Sequence, residues 1–166
     1  ETKLKYSTFW LRFFAAIIDG LILMLLIFIE CKLLGVEYSS HDKYLQSINA
    51  FQLVMYSILM HGVYGQTLGK MVMGVKVVNN SDEQPIEIIQ AIRRESVALI
   101  ISISSLLFNV LYTSDNMELD SLLVNTIVTV SLFYTLWVIA EFITMLFNKK
   151  RRAVHDFIGK TVVIRI

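Results

Sequence analysis

Phe9–Ile29 reads FWLRFFAAIIDGLILMLLIFI, and this stretch decides the fold. About 20 apolar residues of helix cross a hydrocarbon core about 30 Å thick. Here only Arg12 and Asp19 interrupt the run. No small-residue cleavage site follows it, so it reads as a helix retained in the membrane and not as a removed signal peptide. Glu1 stands where an initiator methionine would, so a short preceding stretch is expected.

Three further stretches meet the same criterion. One runs from about Leu45 to Tyr64. A second runs from about Val97 to Tyr112 and reaches spanning length with its flank Arg93–Ser96. The last, from about Leu122 to Phe147, is long enough to span with some tilt. The expected architecture is therefore an all-α membrane protein, a single unit over 1–166, with four transmembrane helices at about 9–29, 45–64, 93–112 and 122–147. The middle two are the more polar.

Composition agrees. The chain of 166 residues is 55% hydrophobic and 17% charged, against about 25% charged in ordinary soluble domains. Its mean hydropathy is +0.62. Cys31 is alone, which excludes an intrachain disulfide and a cysteine metal cluster; it reads as a small apolar residue at a helix end.

Charge placement sets the expected orientation, because short cytoplasmic loops are enriched in Lys and Arg. With the N-terminus, residues 65–94 and the C-terminus on one side, that side holds 13 of the 15 basic residues, leaving only Lys32 and Lys43 opposite. The opposite loops carry Glu30, Glu37 and Asp42, and then Asp115, Glu118 and Asp120. Both termini are expected in the cytoplasm, and the location expected is the cell membrane, multi-pass.

Two polar pieces lie on that side. In 65–85, Val75, Val77 and Val78 favour a strand, and Asn79–Asp82 marks a turn. Pro85 suits the first turn of a helix, with Glu87 favourable near its N-terminus. Thr161–Ile166 again reads as a strand. The pair predicts a short ribbon of about 75–79 with 161–165. Such a ribbon is marginal alone, so it should lean on the membrane or the helix ends.

Ionisable groups inside a bilayer ask for a partner or a purpose. Asp19 falls about 15 Å along the first helix and Arg12 about 10 Å nearer the cytoplasm, too far apart to pair directly. Arg12 reads either as part of a polar core or as a side chain snorkelling to headgroups. Asp19 reads either as a buried structural hydrogen-bond acceptor or as a proton- or cation-handling group. Ala16 and Gly20 form a small-xxx-small pair expected to receive a neighbouring helix. Candidate partners are His61 near Tyr64, and Glu141 on a face with Tyr134, Trp137 and Thr144. Glu95, Ser102, Ser105 and Asn109 form a stripe on the third helix. That stripe is either interhelical glue or the lining of a hydrated path. Oxygen-rich groups of this kind suit protons or hard cations. Lys149–Arg152 should hold the tail at an anionic leaflet. Asp156 is expected to cap or pair with an arginine such as Arg12 or Arg93. No nucleophile elbow, phosphate loop or paired-His zinc motif occurs, so neither an enzyme nor a cofactor is expected.

Three segments together resemble the RDD family of membrane proteins, named for one arginine and two aspartates. They are WLRFFAAIID at 10–19, GQTLGKMVMGVKVV at 65–78 and RRAVHDFIGKTVVI at 151–164. In the resemblance Arg12 is the arginine, Asp19 the first aspartate and Asp156 the second. Leu68 departs from the pattern, standing where many relatives have proline. The resemblance implies a transporter in some members, similar to sodium–proton exchangers, and an accessory partner of membrane enzymes in others.

The favoured expectation is a small transporter of protons or monovalent cations using Asp19 and Arg12. Its transport or structural polar core would comprise Arg12, Asp19, His61, Glu95, Glu141 and Asp156. The alternative is a non-catalytic membrane partner that regulates or stabilises another membrane protein. A lipid-headgroup binder using the basic rim is a third option. Expected partners are the bilayer and either further copies of the chain or another membrane protein, without nucleic acid.

Overall fold

The computed structural model describes residues 5–39, 42–111 and 117–166; Lys3, Tyr112 and Asp115 lie outside them. Four long helices dominate: α1 (Phe9–Leu34), α2 (Lys43–Tyr64), α4 (Ile88–Leu111) and α5 (Met117–Phe147). Between α2 and α4 come the short helix α3 (Leu68–Val72) and strand β1 (Val75–Asn79). After α5 come the short helix α6 (Val154–Ile158) and strand β2 (Thr161–Arg165). The chain is mostly helical with one small two-stranded sheet, close to the sequence expectation.

Among the described residues, two helices are long and apolar enough to cross a membrane: α1, and α5 over Val128–Phe147. Their environment matters more than their length. A core helix of a soluble protein would be mostly buried, whereas the most apolar window of α1 is 22% buried and that of α5 is 6% buried. Leu21, Met24, Phe28, Leu132, Phe133 and Leu136 all face outward. Apolar surface on this scale calls for lipid or protein cover, which points to a membrane location.

Helix ends follow local chemistry. Asp42 caps α2, its carboxylate accepting from the backbone of Tyr44 at 2.8 Å and Leu45 at 3.3 Å. Gly35 and Gly65 close α1 and α2 in the left-handed conformation. At Gly65 a Cβ would also lie 2.9 Å from the carbonyl of Val77.

β1 and β2 pair antiparallel in the register Val75↔Arg165 to Asn79↔Thr161, the ribbon the sequence predicts. Val75, Val77 and Val163 join Ile86 and Ala91 in a small core, against which Leu11 and Met73 pack. The ribbon thus leans on the ends of α1 and α4. Pro85 corrects one expectation: it does not start a helix but forms an isolated bridge with Val78, and α4 begins at Ile88. The proline lacks an N–H and fits this edge position.

The packing face of α1 also differs from the expected one. Ala16 and Gly20 are exposed, and nothing approaches Gly20. The face that buries carries Arg12, Ala15 and Asp19, and it receives α3, with Tyr56 of α2 also reaching Asp19.

Candidate functional site

The polar residues gather at the ribbon end of the bundle, in two connected clusters and one latch.

The latch is Asp19. Its Oδ2 accepts from the Thr67 hydroxyl at 2.6 Å, and its Oδ1 accepts from the backbone N–H of Gly69 at 2.8 Å and the hydroxyl of Tyr56 at 2.9 Å. Tyr56 accepts in turn from the backbone N–H of Leu68 at 2.8 Å. Asp19 therefore reaches the first turn of α3, where backbone N–H groups lack helical partners, and holds it against α1. Gly69 makes the approach possible, since a Cβ there would lie 2.1 Å from the carbonyl oxygen of Ala15.

The first cluster centres on Asp156, which is fully buried. Its Oδ2 lies 2.8 Å from the Arg12 guanidinium, and its Oδ1 pairs with Arg94. Asp156 also accepts from the backbone N–H of Ala153 at 2.9 Å, capping its own helix α6. Burial alone would raise this carboxyl; the charges of Arg12 and Arg94 outweigh it and hold the group well below the usual carboxylate range. Arg94 further donates to the Thr161 hydroxyl at 3.1 Å, joining α4 to the ribbon. Gly159 lets α6 sit tight on α4, for a Cβ there would lie 2.9 Å from Cβ of Arg94.

His155 extends this cluster. Its Nε2 lies 2.7 Å from Arg94 and 3.1 Å from Arg12. Both guanidinium groups offer only N–H, so Nε2 accepts and the proton sits on Nδ1. Nδ1 faces the carboxylate of Glu141 at 2.7 Å, while the other Glu141 oxygen accepts from the His155 backbone at 3.1 Å. Glu141 of α5 is thereby tied to α6.

The second cluster joins α2, α3 and α4. His61, 1% exposed, has Nε2 at 2.5 Å from Nζ of Lys70 and Nδ1 at 3.6 Å from Glu95. Nδ1 makes no hydrogen bond. Glu95 lies 3.5 Å from Nε of Arg94, which connects the two clusters. Lys70 is half-buried as a residue, but its ammonium points inward. Burial, then repulsion from Arg94, push its pKa down to about 7 despite attraction from Glu95.

All six candidates from the sequence lie at this end, though not as one constellation. Arg12, Asp156, Glu141, Glu95 and His61 belong to the linked clusters, whereas Asp19 bonds elsewhere. Sequence reasoning missed Arg94 and Lys70. Arg93, the arginine named instead, is exposed. The Thr67–Lys70 spacing carries a signal for α3, since the Thr67 hydroxyl caps it by accepting from the backbone of Lys70 at 3.4 Å; a helix there turns Lys70 toward His61.

The remaining stripe residues act between helices. Ser105 lies 3.0 Å from Ser47, and Asn109 donates to Ser47 at 2.5 Å and to the carbonyl of Lys43 at 3.2 Å. Ser102 and Thr144 bond their own helix backbones, and Tyr134 faces outward. Among the described residues no group of three or more His, Cys, Asp or Glu is placed to hold a metal ion.

No curated protein and no solved structure matches the chain. The model of the RDD family matches residues 6–160, which take in the Asp19 latch and Arg12, Arg94, Glu141, His155 and Asp156 of the first cluster. The chain belongs to the RDD family.

Proposed function

We propose that this membrane protein moves protons or monovalent cations, and that its exchange element is the Lys70–His61–Glu95 trio at the cytoplasmic side. The observation that carries the reading is the 2.5 Å contact between two bases, Lys70 and His61. Two basic nitrogens that close, shielded from water, favour one shared proton over two separate charges. A lysine poised near neutrality gains and loses a proton within the working range of a cell. Glu95, on the other ring nitrogen of His61, supplies an oxygen for an incoming proton or hard cation.

Arg12 and Asp19 then serve as positioning residues. Asp19 already accepts three hydrogen bonds, and these hold α3, and so Lys70, against the bundle. Arg12 fixes the α6 side through Asp156. The trio would give up a proton when α3 is seated and Lys70 is buried, and take one up when α3 moves and Lys70 meets water, with cation entry at Glu95 offsetting the charge lost on release. No catalytic residue and no cofactor enters this scheme.

The test uses the purified chain in sealed vesicles containing a pH-sensitive dye. A sodium or potassium gradient should drive a pH change with wild type. Lys70→Met should bring it to background, and Asp19→Asn should lower it by loosening α3. Absence of flux with wild type under every gradient, together with recovery of a stoichiometric partner, overturns the transporter reading.

One observation favours the alternative, a non-catalytic partner of another membrane protein. Over Val128–Phe147, α5 exposes Val128, Phe133, Leu136, Ile143 and Phe147 around much of its circumference. A helix so bare suits docking against a further subunit. Recovery of the chain alone, as a monomer in mild detergent, counts against that alternative.

A further inference from the structure

Three side chains of the basic run 149–152 are engaged by the fold. Arg152 donates to the carbonyls of Thr161 at 2.9 Å and Asp156 at 3.0 Å, and it stacks on Phe157. Arg151, with a left-handed backbone, donates to the carbonyls of Leu146 at 2.6 Å and Met145 at 3.4 Å, closing the end of α5. Lys150 reaches the Asn80 carbonyl at 3.4 Å and side chain at 3.3 Å, with its ammonium over the Tyr6 ring. Lys149 is exposed.

Lys149, Lys150 and Arg151 have no carboxylate within 4.0 Å among the described residues. Glu83, whose charge Lys150 feels, is already bonded by Lys5 and Tyr6. Three positive charges on one short segment are therefore held by neutral acceptors or left free, with Glu83 as a shared and more distant counter-charge to Lys150 alone. They line a cavity of about 720 Å³ together with Tyr6, Ser7 and Phe147. A second cavity, of about 200 Å³, shares Ser7, Leu146 and Arg151 with it and continues to Phe9 and Trp10 on the outer face of α1. The groove thus runs from a basic pocket, whose cations touch no carboxylate, to an apolar wall. It lies where the N-terminal end of α1 meets the C-terminal end of α5, the two helices apolar enough to span.

We propose that this groove is a binding site for one anionic phospholipid of the cytoplasmic leaflet. The phosphate and headgroup would sit between Lys149, Lys150 and Arg151, and an acyl chain would leave along Leu146, Phe9 and Trp10. The occupant must be both anionic and apolar, because the pocket offers charge at one end and hydrocarbon at the other. With the lipid so bound, Trp10 and Tyr6 would stand at headgroup level, where amphipathic rings settle.

Trp10 provides the readout. The full chain carrying Trp137→Phe is reconstituted in phosphatidylcholine vesicles doped with brominated phosphatidylglycerol or brominated phosphatidylcholine, and quenching of Trp10 fluorescence is measured. The anionic lipid should quench preferentially. Lys149→Gln with Lys150→Gln should weaken that preference roughly thirtyfold, as expected for two lysines at an anionic surface. Lys149→Gln alone, at an exposed side chain that holds nothing in the fold, should weaken it in part. Lys43→Gln, at the far end of α2, should leave it intact. Equal quenching by the two lipids with wild type overturns the proposal, as does a preference that survives the double substitution. Loss of the preference on adding inorganic phosphate assigns the pocket to a soluble anion and overturns the lipid.

Discussion

At Gly69 one added carbon would strike the backbone of Ala15, and backbone does not swing aside as a side chain end can. Gly69→Ala should therefore lift α3 from α1 and destabilise the protein by about 1–3 kcal/mol, the usual range for overpacking. A lowered midpoint of thermal unfolding in detergent checks this, and an unchanged midpoint contradicts the seating of α3 on Asp19. Residue identity was only partly legible in sequence. Asp19 announces itself by standing in an apolar run, but its partners lie 37 to 50 residues away in the chain. Periodicity says nothing about which loop folds back. Arg93 and Arg94 are equivalent in sequence yet about 100° apart around a helix, so only the position of α6 decides which of them is buried. Lys70 counted toward the positive side of the membrane, and the same charge proves to be enclosed.

Among the elements, the long helices and the ribbon were legible because each rests on a local signal. Length and apolarity mark the helices, and Val-rich runs bounded by turn residues mark the strands. The face each helix turns inward is a tertiary outcome, as the exposed Ala16 and Gly20 show. α2 and α4 form the closest long-helix pair. Their contact away from the ribbon end is polar, through Ser47, Ser105 and Asn109. Asn109→Leu should weaken this pair by about 0.6–2 kcal/mol, the range measured for polar contacts between membrane helices. Graded unfolding in a denaturing detergent reads the effect. Stability equal to wild type would mean that apolar packing alone holds α2 to α4.

For the whole molecule, the ion cluster sets a pH dependence whose sign follows from Asp156. Its pKa is depressed in the fold, so the folded state releases a proton that the unfolded chain binds at moderately low pH. The resulting stability is fully present above the unfolded value of about 3.9 and is lost as pH falls through it toward the folded value. Thermal unfolding in detergent should be insensitive to this group from neutrality down to about pH 5 and should fall steeply below about pH 4. Asp156→Asn should remove that acid step and lower stability at neutral pH by about 3–5 kcal/mol, because Arg12 and Arg94 remain buried without their counter-charge. An acid step that persists in Asp156→Asn would place its origin in another carboxylate.

The order of this cluster along the chain also bears on biogenesis. A ribosome delivers the N-terminal segments first, so Arg12 emerges 143 residues before His155, and Arg94 emerges 62 residues before Asp156. Until that last carboxylate is made, the nascent protein carries Arg12 without its carboxylate partner and Arg94 with only the more distant Glu95. A product released early would keep this unpaired charge beside its hydrophobic helices, a distinguishing mark by which cellular surveillance could separate fragments from finished molecules.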